Sequence, residues 1–394
     1  MLEASETRLT RREWLSKTIL ASGSLLSGFG LLGCHSSVPA VNEDSFAGGR
    51  LIGNVGFANE SDIPLDTPLW TELDGRLYSD LSTLTSSDVV TPTEKFYIRT
   101  RSSQLLHSPE SWSIRIKGFA RPLNLDVKEI TRESKPLGLH LMECAGNSRF
   151  GHFGLLSVAD WVGVPLLSVL QRDSSRNETL RIQISGFDSY RTKSATSIPG
   201  ASWIFSWQDI YSSGAFLATG MNGKPLVADH GAPVRLVVPG WYGCTCIKWI
   251  DEMTTVDANA AATSQMQEYA TRTHQKGIPT FARDYEPAMI DAAAMPIRVE
   301  KWVVNGRIKY RIVGIVWGGS GTVRSLNIQV NGQDHVPVEK MYTAERRSWA
   351  MWTHSWTPQK AGLYAIRLMI GDPRVRTRRL DSGFYTRTVQ IAEV

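Results

Sequence analysis

The last hundred residues of the chain alternate between apolar and polar side chains, and this pattern restricts them strongly to packed β-sheets. The clearest example is residues 326–330 (LNIQV), in which every second side chain is apolar. Similar strand-like runs cover residues 310–316, 363–370 and 384–391, and turn-forming residues separate them. About 100 residues of this kind are typical of an immunoglobulin-like β-sandwich, which we predict for residues 284–394.

The preceding part of the chain combines strand signals with fewer helix signals. Strand patterns occur at residues 95–99, 112–116, 181–184 and 234–238, whereas the best helix patterns are residues 158–170 and 258–270. Because no regular strand–helix–strand rhythm is present, this mixture indicates an α+β fold rather than a doubly wound sheet. We predict one such domain over residues 61–283, followed by a linker that contains Pro287 and Pro296.

Length, charge and cysteine content exclude several classes of protein. The 394 residues suffice for two or three domains with cores of their own, and four cysteines in such a chain make no disulfide framework. A net charge of +5, spread along the chain, gives no argument for nucleic-acid binding. No apolar run reaches the ~18 residues that a membrane-spanning helix needs.

The amino terminus has the features of an export signal. Residues 10–17 (TRREWLSK) contain paired arginines, and the mildly apolar stretch that follows is diluted by glycine and serine. This pattern resembles the twin-arginine signal, which carries folded, often cofactor-loaded proteins across the bacterial inner membrane. We therefore predict a twin-arginine export signal over residues 1–33. The alternative is a basic leader with a chance pair of arginines.

Residues 31–34 (LLGC) resemble a bacterial lipobox, in which the cysteine is acylated and becomes the new amino terminus. A small residue directly before Cys34 and a leucine three residues before it agree with that motif, whereas Leu32 departs from it. We predict lipidation at Cys34 and a tether over residues 34–60, which are rich in Ser, Gly and Asn. The protein is then periplasmic or otherwise extracytoplasmic, and it meets the membrane only through its lipid. The alternative is cleavage elsewhere, with Cys34 incidental.

The motifs of several common enzyme classes are missing from the sequence. It has no G-x-G-x-x-G between a strand and a helix, no phosphate loop, no G-x-S-x-G and no His-x-x-x-His pair. What remains is residues 140–149 (HLMECAGNSR), where small residues after Cys144 let the backbone approach a bulky group. A thiolate is a soft ligand that suits a metal centre already carrying most of its other ligands. Cys144 is therefore a candidate metal ligand, and a small buried hydrophobic side chain is the alternative.

Four ordered motifs resemble the sulfite oxidase family of molybdopterin enzymes. They are residues 143–147 (ECAGN), 160–166 (DWVGVPL), 221–226 (MNGKPL) and 229–240 (DHGAPVRLVVPG). The resemblance extends from about residue 61 to the end, because residues 314–319 and the pair Trp352 and Trp356 are similar to that family's dimerisation domain. It implies a sulfite-oxidase-like oxidoreductase with a molybdenum–molybdopterin cofactor, assembled as a homodimer.

The resemblance also implies which residues bind this cofactor. Cys144 would bind the molybdenum, and Asn147 belongs to the same cofactor-binding motif. His230, Arg235 and Lys248 would hold the pterin and its phosphate. Their chemistry agrees, because arginine offers a planar fork, lysine a point charge and histidine a tunable donor. The alternatives are a hydrogen bond within a turn for the histidine and solvated strand positions for the other two.

Three further residues are candidates for catalysis by the same resemblance. Arg99 and Arg149 match substrate-pocket arginines, and two cations beside an oxo-metal would attract a small oxyanion. The alternative for each arginine is a surface salt bridge. The family's active-site tyrosine precedes a Lys-Gly pair, but Gln275 stands at that place here, which leaves Tyr269 as the candidate. A further arginine of the second domain is replaced near Trp352.

Two other observations concern electron transfer. Cys244 and Cys246 lie close to Lys248 in sequence, and we expect a buried structural pair near the cofactor rather than a redox pair. No C-x-x-C-H haem-attachment motif occurs, so no haem is expected in this chain. Electrons would then pass to an external carrier such as a c-type cytochrome.

The sequence thus predicts an exported molybdopterin oxidoreductase that moves an oxygen atom between the metal and a small oxyanion or oxide. Two alternatives stay open at this point. One is a reductase of S- or N-oxides that uses the same cofactor, and the other is a non-catalytic lipoprotein that keeps the fold for binding.

Overall fold

A computed structural model describes residues 46–65, 75–87, 89–106, 108–119, 122–171, 177–188, 200–342 and 347–394. The predicted export signal and the predicted lipidation site, Cys34, lie outside the described residues. None of the helices within the described ranges has the length and apolar character needed to cross a membrane.

Strands outnumber helices in the described part of the chain, and the helices are short. The first eleven strands are β1 (Arg50–Val55), β2 (Ser113–Lys117), β3 (Leu123–Asp126), β4 (Lys135–Glu143), β5 (Leu156–Pro165), β6 (Arg181–Gly186), β7 (Ser202–Phe205), β8 (Phe216–Met221), β9 (Lys224–Pro225), β10 (Arg235–Val237) and β11 (Ile250–Val256). The later ones are β12 (Ala293–Val304), β13 (Arg307–Trp317), β14 (Leu326–Val330), β15 (Val336–Pro337), β16 (Lys340–Met341), β17 (Ala350–Trp356), β18 (Gly362–Ile370) and β19 (Arg387–Ile391). The helices are α1 (Val127–Glu133), α2 (Leu166–Leu170), α3 (Trp207–Ser213), α4 (Ser264–Tyr269) and α5 (Arg378–Asp381).

These strands form four sheets. Two five-stranded sheets have the orders β1-β12-β13-β17-β16 and β3-β2-β11-β6-β7. A third sheet has the order β10-β8-β5-β4, with the short β9 paired to β8, and the fourth has the order β15-β14-β18-β19. The third sheet positions the candidate site, because β4 ends one residue before Cys144 and β10 begins at Arg235.

The long hairpin of β12 and β13 separates two hydrophobic cores. Along β13, Val313 and Ile315 belong to the larger core, whereas Ile312 and Val316 belong to the smaller one. Such alternation follows from the opposite orientation of successive strand side chains. The smaller core is built by the hairpin's sheet and by the sheet that contains β14, β18 and β19. This part of the chain therefore has two packed sheets, while its immunoglobulin-like topology and its boundary at residue 284 stay predictions.

The structure corrects the predicted tether over residues 34–60. Its described part contains β1, which pairs antiparallel with β12 at the edge of a sheet. The side chains of β1 are mostly exposed, so the strand lacks the apolar alternation that reveals a half-buried strand in sequence. Their strand conformation is determined by backbone hydrogen bonds to β12 and not by burial of apolar side chains.

The structure also corrects the helix predicted for residues 158–170. These residues form the second half of β5 followed by the short helix α2. Because β5 is buried on both faces, it has a continuous apolar run, and such a run cannot be told from a buried helix by periodicity. The helix predicted for residues 258–270 is limited to α4 and the turn after it.

Candidate functional site

Six of the eight residues predicted for catalysis or cofactor binding line one cleft. It has about 810 Å³ of empty space, including solvent at its mouth, and we call it the Cys144 cleft. The six residues are Arg99, Cys144, His230, Arg235, Lys248 and Tyr269. The sequence motifs, which lie up to 170 residues apart (99 to 269), therefore converge on a single concave site of the kind that binds ligands.

Cys144 lies at the start of a tight turn that follows β4. It is 4% exposed, its backbone nitrogen donates to the Leu155 carbonyl at 3.0 Å, and its own carbonyl accepts from the Asn147 nitrogen at 2.9 Å. The backbone nitrogen of Gly146 donates to the Cys144 Sγ at 3.4 Å. A donor directed at sulfur stabilises negative charge there, as a metal-binding thiolate requires.

Arg235 is buried in the wall of the Cys144 cleft. Its guanidinium donates to the carbonyl of His230 at 3.0 Å and to the carbonyl of Cys246 at 3.2 Å, and it lies 5.5 Å from the Trp161 ring centroid. Its Nε is buried and has no hydrogen-bond partner among the described residues. A buried donor left unsatisfied is costly, so this atom fits an acceptor supplied by a ligand.

Lys248 is held at the same cleft by backbone oxygen atoms. Its Nζ donates to the carbonyl of Asp229 at 2.9 Å and to the carbonyl of Thr100, and it lies 4.2 Å from the Trp249 ring centroid. Burial and, next, repulsion from Arg235 lower the pKa of Lys248 to about 7. Asp229 and Asp188 oppose these effects only in part, so a bound anion would stabilise the ammonium further.

His230 and Gly231 shape the space beside these two cations. The Nε2 of His230 is 2.8 Å from the carbonyl of Thr93, to which it donates, and burial lowers the pKa of His230 to about 4. The imidazole is therefore neutral at pH 7. Gly231 has φ +101°, and a Cβ there would lie 3.0 Å from the Cβ of Arg235 and 3.1 Å from that of Lys248. Glycine thus leaves room for the side chains that would bind the cofactor.

Tyr269 ends α4 and is buried at the Cys144 cleft. Burial raises the pKa of its phenol, and Arg99 partly opposes this effect, so the phenol stays protonated at neutral pH and can donate a hydrogen bond. Gln275, at the place where the family's tyrosine is expected, instead pairs with the backbone of Glu286. Its Oε1 accepts from that residue's nitrogen at 2.9 Å, and its Nε2 donates to the carbonyl at 3.0 Å.

Two of the predicted site residues do not line the Cys144 cleft. The guanidinium of Arg149 donates to the carbonyl of Thr386 at 2.7 Å and lines no described cleft, which corrects its predicted catalytic position. The turn after Cys144 directs this side chain toward the C-terminal strands. Asn147 is buried and its Oδ1 accepts from the Leu155 nitrogen at 3.1 Å. Its amide therefore braces the turn, and its role in cofactor binding stays a prediction.

A second cleft adjoins the first, because Arg99 lines both. It has about 1410 Å³ of empty space, including open solvent, and we call it the arginine cleft after Arg76, Arg99, Arg272 and Arg379, which line it. Sequence reasoning missed three of these residues. Arg272 follows Tyr269 by three residues, a spacing that places side chains on one helical face, but Arg76 and Arg379 are brought in by tertiary packing alone.

Cys244 and Cys246 lie in the Cys144 cleft with Lys248, as predicted. Both thiols are buried, and burial raises the pKa of each. The Sγ of Cys246 accepts from the backbone nitrogen of Val238 at 3.4 Å. These thiols are therefore neutral at pH 7, in agreement with a structural rather than a redox pair.

Comparison with known proteins assigns a cofactor to this geometry. Residues 102–264 match the family profile described as "Oxidoreductase molybdopterin binding domain". Mitochondrial sulfite oxidase of Macaca fascicularis is 25% identical over 337 residues, which are 79% of this chain and 59% of that protein. The NADPH nitrate reductase of Aspergillus niger is 29% identical over 196 residues, which are 45% of this chain and 22% of that protein. The chain thus spans less than two thirds of the length of these relatives.

A solved structure shows the same fold. The sulfane dehydrogenase SoxCD of Paracoccus pantotrophus superposes with a TM-score of 0.60 at 17% identity, over 82% of this chain and 88% of that chain. The residues of the Cys144 cleft fit a molybdopterin group, because a thiol, an unsatisfied arginine nitrogen and a buried lysine meet there. Profile, relatives and geometry confirm the predicted molybdenum–molybdopterin cofactor, and residues 102–264 are similar to the oxidoreductase molybdopterin binding domain that the profile describes.

Proposed function

We propose that this protein is an exported oxidoreductase that oxidises a small oxyanion by oxygen-atom transfer, as the names of its sulfite oxidase relatives suggest. One observation carries the proposal. The thiol of Cys144 lines a cleft that the cationic side chains of Arg235 and Lys248 also line, while Arg99 lines both this cleft and a second one.

Different residues of the Cys144 cleft would bind different parts of the cofactor. When bound, the molybdenum–molybdopterin cofactor supplies oxygen-atom transfer and takes up two electrons. Cys144 would provide a sulfur ligand to the metal. Arg235 and Lys248 would neutralise the phosphate with a planar fork and a point charge, and His230 would present a neutral imidazole to the pterin.

Two residues would serve the substrate. Arg99 lies where the two clefts meet, so its charge acts on an anion that approaches Cys144. Tyr269 keeps its proton because burial raises the pKa of the phenol. It would therefore donate a hydrogen bond to a substrate oxygen throughout the neutral range, without taking part as a base.

The proposal is tested by analysis of matured protein purified from cells that supply molybdate. We expect the wild type to contain molybdenum and pterin and to reduce ferricyanide when sulfite is present. We expect Cys144→Ala to lack both the cofactor and this activity. Cys246→Ala is the matched control, since it also removes a buried thiol from the cleft and should keep the metal. Wild-type protein without molybdenum after maturation would refute the proposal.

The same preparation separates the two alternatives. A reductase of S- or N-oxides would oxidise a reduced dye in the presence of a sulfoxide and would leave sulfite unchanged. A non-catalytic lipoprotein would contain molybdenum and show no turnover with either class of substrate.

Export and anchoring are part of the proposal and rest on the sequence alone. Residues 10–17 support a twin-arginine signal, and residues 31–34 support lipidation of Cys34. Replacement of Arg11 and Arg12 by lysine should retain the protein in the cytoplasm, and Cys34→Ala should release it from membranes. Mass spectrometry of the mature amino terminus would detect the lipid, and an unmodified Cys34 would refute anchoring.

Electron acceptance and assembly also belong to the proposal. We expect a c-type cytochrome to replace ferricyanide as the electron acceptor. The two packed sheets of residues 284–394 support an immunoglobulin-like dimerisation domain. Light scattering should give twice the mass of one chain, and a single-chain mass would refute the dimer.

A further inference from the structure

We propose that the arginine cleft binds an organic anion with an apolar group, and that organic sulfinates are the substrate class of this enzyme. The inference rests on the proposed function, because the reacting sulfur must reach the Cys144 cleft. It goes beyond that function by assigning the chemistry of the substrate. Charge, apolar surface and size each support it.

Positive charge is concentrated where the two clefts meet. Four arginines line the arginine cleft, and among the described residues that line it none is acidic. Arg272 lies near the proposed metal ligand. A Cβ at Gly146 would lie 3.4 Å from a guanidinium nitrogen of Arg272 and 3.7 Å from the Cys144 Sγ. A single anionic head group could therefore contact Arg272 close to the reacting position.

The role of Arg272 is supported by its own surroundings. Its side chain is exposed and lies 5.3 Å from the ring centroid of Tyr269, and no carboxylate pairs with it among the described residues. Arg379 differs, because Glu143 lies 3.6 Å from it and compensates its charge. Arg272 thus makes no ion pair, although Glu268 lies near enough to feel its charge, whereas Arg379 is paired with Glu143.

Apolar side chains continue the cleft beyond these charges. Phe150 is 56% exposed and Phe384 is 37% exposed, and both line the cleft with Tyr78 and Leu155. Exposed aromatic rings on a concave, charged surface are typical of a site that binds an apolar group. An inorganic oxyanion would use only the charged end and would leave these rings in water.

The size of the cleft points in the same direction. Its cavity volume of about 670 Å³ lies within the ~300–1,000 Å³ typical of pockets that bind organic ligands. A sulfite ion would fill a small part of it. An aryl or alkyl group attached to the anionic head would instead displace water from Phe150 and Phe384.

Organic sulfinates combine the required features. They carry one negative charge, a lone pair on sulfur and an organic group in place of one oxygen of sulfite. Their oxidation forms one sulfur–oxygen bond with an oxygen that derives from water and yields a sulfonate and two protons. The two electrons leave singly to the external one-electron carrier of the proposed function. No other bond of the organic group is broken.

The first experiment measures binding without turnover. Calorimetric titration of the oxidised holoenzyme with benzenesulfonate, a stable product analogue, is compared with titration by sulfate. We expect benzenesulfonate to bind at least about tenfold more tightly, because stacking against an aromatic ring adds ~0.5–1.5 kcal/mol to the area that is buried. Equal affinity for both anions, or tighter binding of sulfate, would overturn the inference.

Matched variants test whether benzenesulfonate binds in the arginine cleft. Phe150→Ala should reduce the ratio of benzenesulfonate to sulfate affinity by about fivefold, within the ~0.5–1.5 kcal/mol of such contacts. Tyr211→Ala is the control, since Tyr211 is 68% exposed on α3 and lines neither cleft. Arg272→Gln should weaken both anions, whereas Arg283→Gln, which removes an exposed arginine beside Asp284, should weaken neither. An unchanged ratio in Phe150→Ala would contradict the proposed site.

Turnover separates failure of this inference from failure of the proposed function. Ferricyanide reduction is measured with benzenesulfinate and with sulfite, and a higher kcat/KM for the sulfinate supports the inference. Turnover of sulfite with no turnover of the sulfinate would overturn the inference and leave the proposed function intact. Tight, Phe150-dependent binding of benzenesulfonate without turnover of either compound would support the site and refute the oxidase function.

Discussion

The carboxylate of Glu143 accepts a hydrogen bond from the indole nitrogen of Trp317 over 2.9 Å. Glu143 is 1% exposed and directly precedes Cys144, whereas Trp317 ends β13 in the C-terminal part of the chain. The same carboxylate accepts from the hydroxyl of Tyr385 at 2.9 Å and lies 3.6 Å from Arg379. Three C-terminal side chains therefore hold the turn that carries the proposed metal ligand.

We predict that variants of this buried cluster lose different amounts of the free energy of unfolding. Trp317→Phe removes one donor and should lower the free energy of unfolding by about 1–2 kcal/mol. Glu143→Ala leaves Arg379 without a counter-charge in a nearly buried position and should cost about 3 kcal/mol or more. It should also reduce bound molybdenum, because the Cys144 turn loses its anchor. Denaturant unfolding and metal analysis test both, and equal losses in the two variants would contradict a central role for the carboxylate.

Anion binding at the Cys144 cleft should weaken as the pH rises from 6 to 8. Burial lowers the pKa of Lys248 to about 7 and raises the pKa of Asp188, which lines the same cleft, to about 7. Over this range the lysine loses its positive charge and the aspartate gains a negative one, so both changes oppose an anion. We expect the affinity of cofactor-free protein for sulfate, whose own charge is constant here, to fall by about tenfold, or ~1.4 kcal/mol.

Two variants separate these titrations. Lys248→Arg keeps a positive charge at all relevant pH values, and Asp188→Asn removes the ionising carboxylate. Each single variant should retain part of the pH dependence, and the double variant should retain little of it. Calorimetric titrations at pH 6 and pH 8 provide the measurement. A double variant with the wild-type dependence would show that other groups control anion binding.

The resemblance of the motifs around Cys144, His230 and Arg235 to the sulfite oxidase family predicts one site, and these three side chains line one cleft in the structure. Sequence alone could not place Arg149 correctly, because the direction of its side chain depends on the turn after Cys144 and on the carbonyl of Thr386. A spacing of five residues from Cys144 carries no information about that direction.

Other features had weak or misleading local signals. Arg379 reaches its cleft from α5 through packing against Glu143, and no residue near it in sequence marks that contact. β5 is buried on both faces and β1 is mostly exposed, so neither strand has the two-residue periodicity by which a half-buried strand is recognised in sequence. For that reason the sequence predicts neither of them. Pairing with neighbouring strands determines them, and such pairing is a property of the whole fold.

Gly231 provides a test of the cofactor-binding geometry. Gly231→Ala introduces a Cβ at 3.0 Å from the Cβ of Arg235 and 3.1 Å from that of Lys248, so both side chains must shift. Gly223 is the matched control, since it also has positive φ, +72°, but no atom lies within 4 Å of its Cβ position. Both alanine variants should lose about 1 kcal/mol of stability from backbone strain.

Only Gly231→Ala should also bind molybdopterin more weakly. Pterin fluorescence after acid release measures cofactor content, and thermal unfolding measures stability. Equal cofactor content in the two variants would show that Arg235 and Lys248 do not contact the cofactor closely.

Tyr269 and Gln275 should respond to substitution in opposite ways. Tyr269→Phe removes a hydroxyl at the Cys144 cleft and should lower kcat by about 100-fold, the lower range for loss of one positioned hydrogen-bond donor, with little change in stability. Gln275→Ala removes two hydrogen bonds to the backbone of Glu286 and should cost about 1–3 kcal/mol of stability, with kcat retained in the folded protein. Steady-state kinetics on molybdenum-matched samples, together with thermal unfolding, distinguish the two effects.

Because the phenol keeps its proton, the Tyr269→Phe variant should show the same pH profile as the wild type between pH 6 and pH 9. A loss of kcat in Gln275→Ala without a loss of stability would show that the catalytic role belongs to residue 275, the family's usual position, and not to Tyr269.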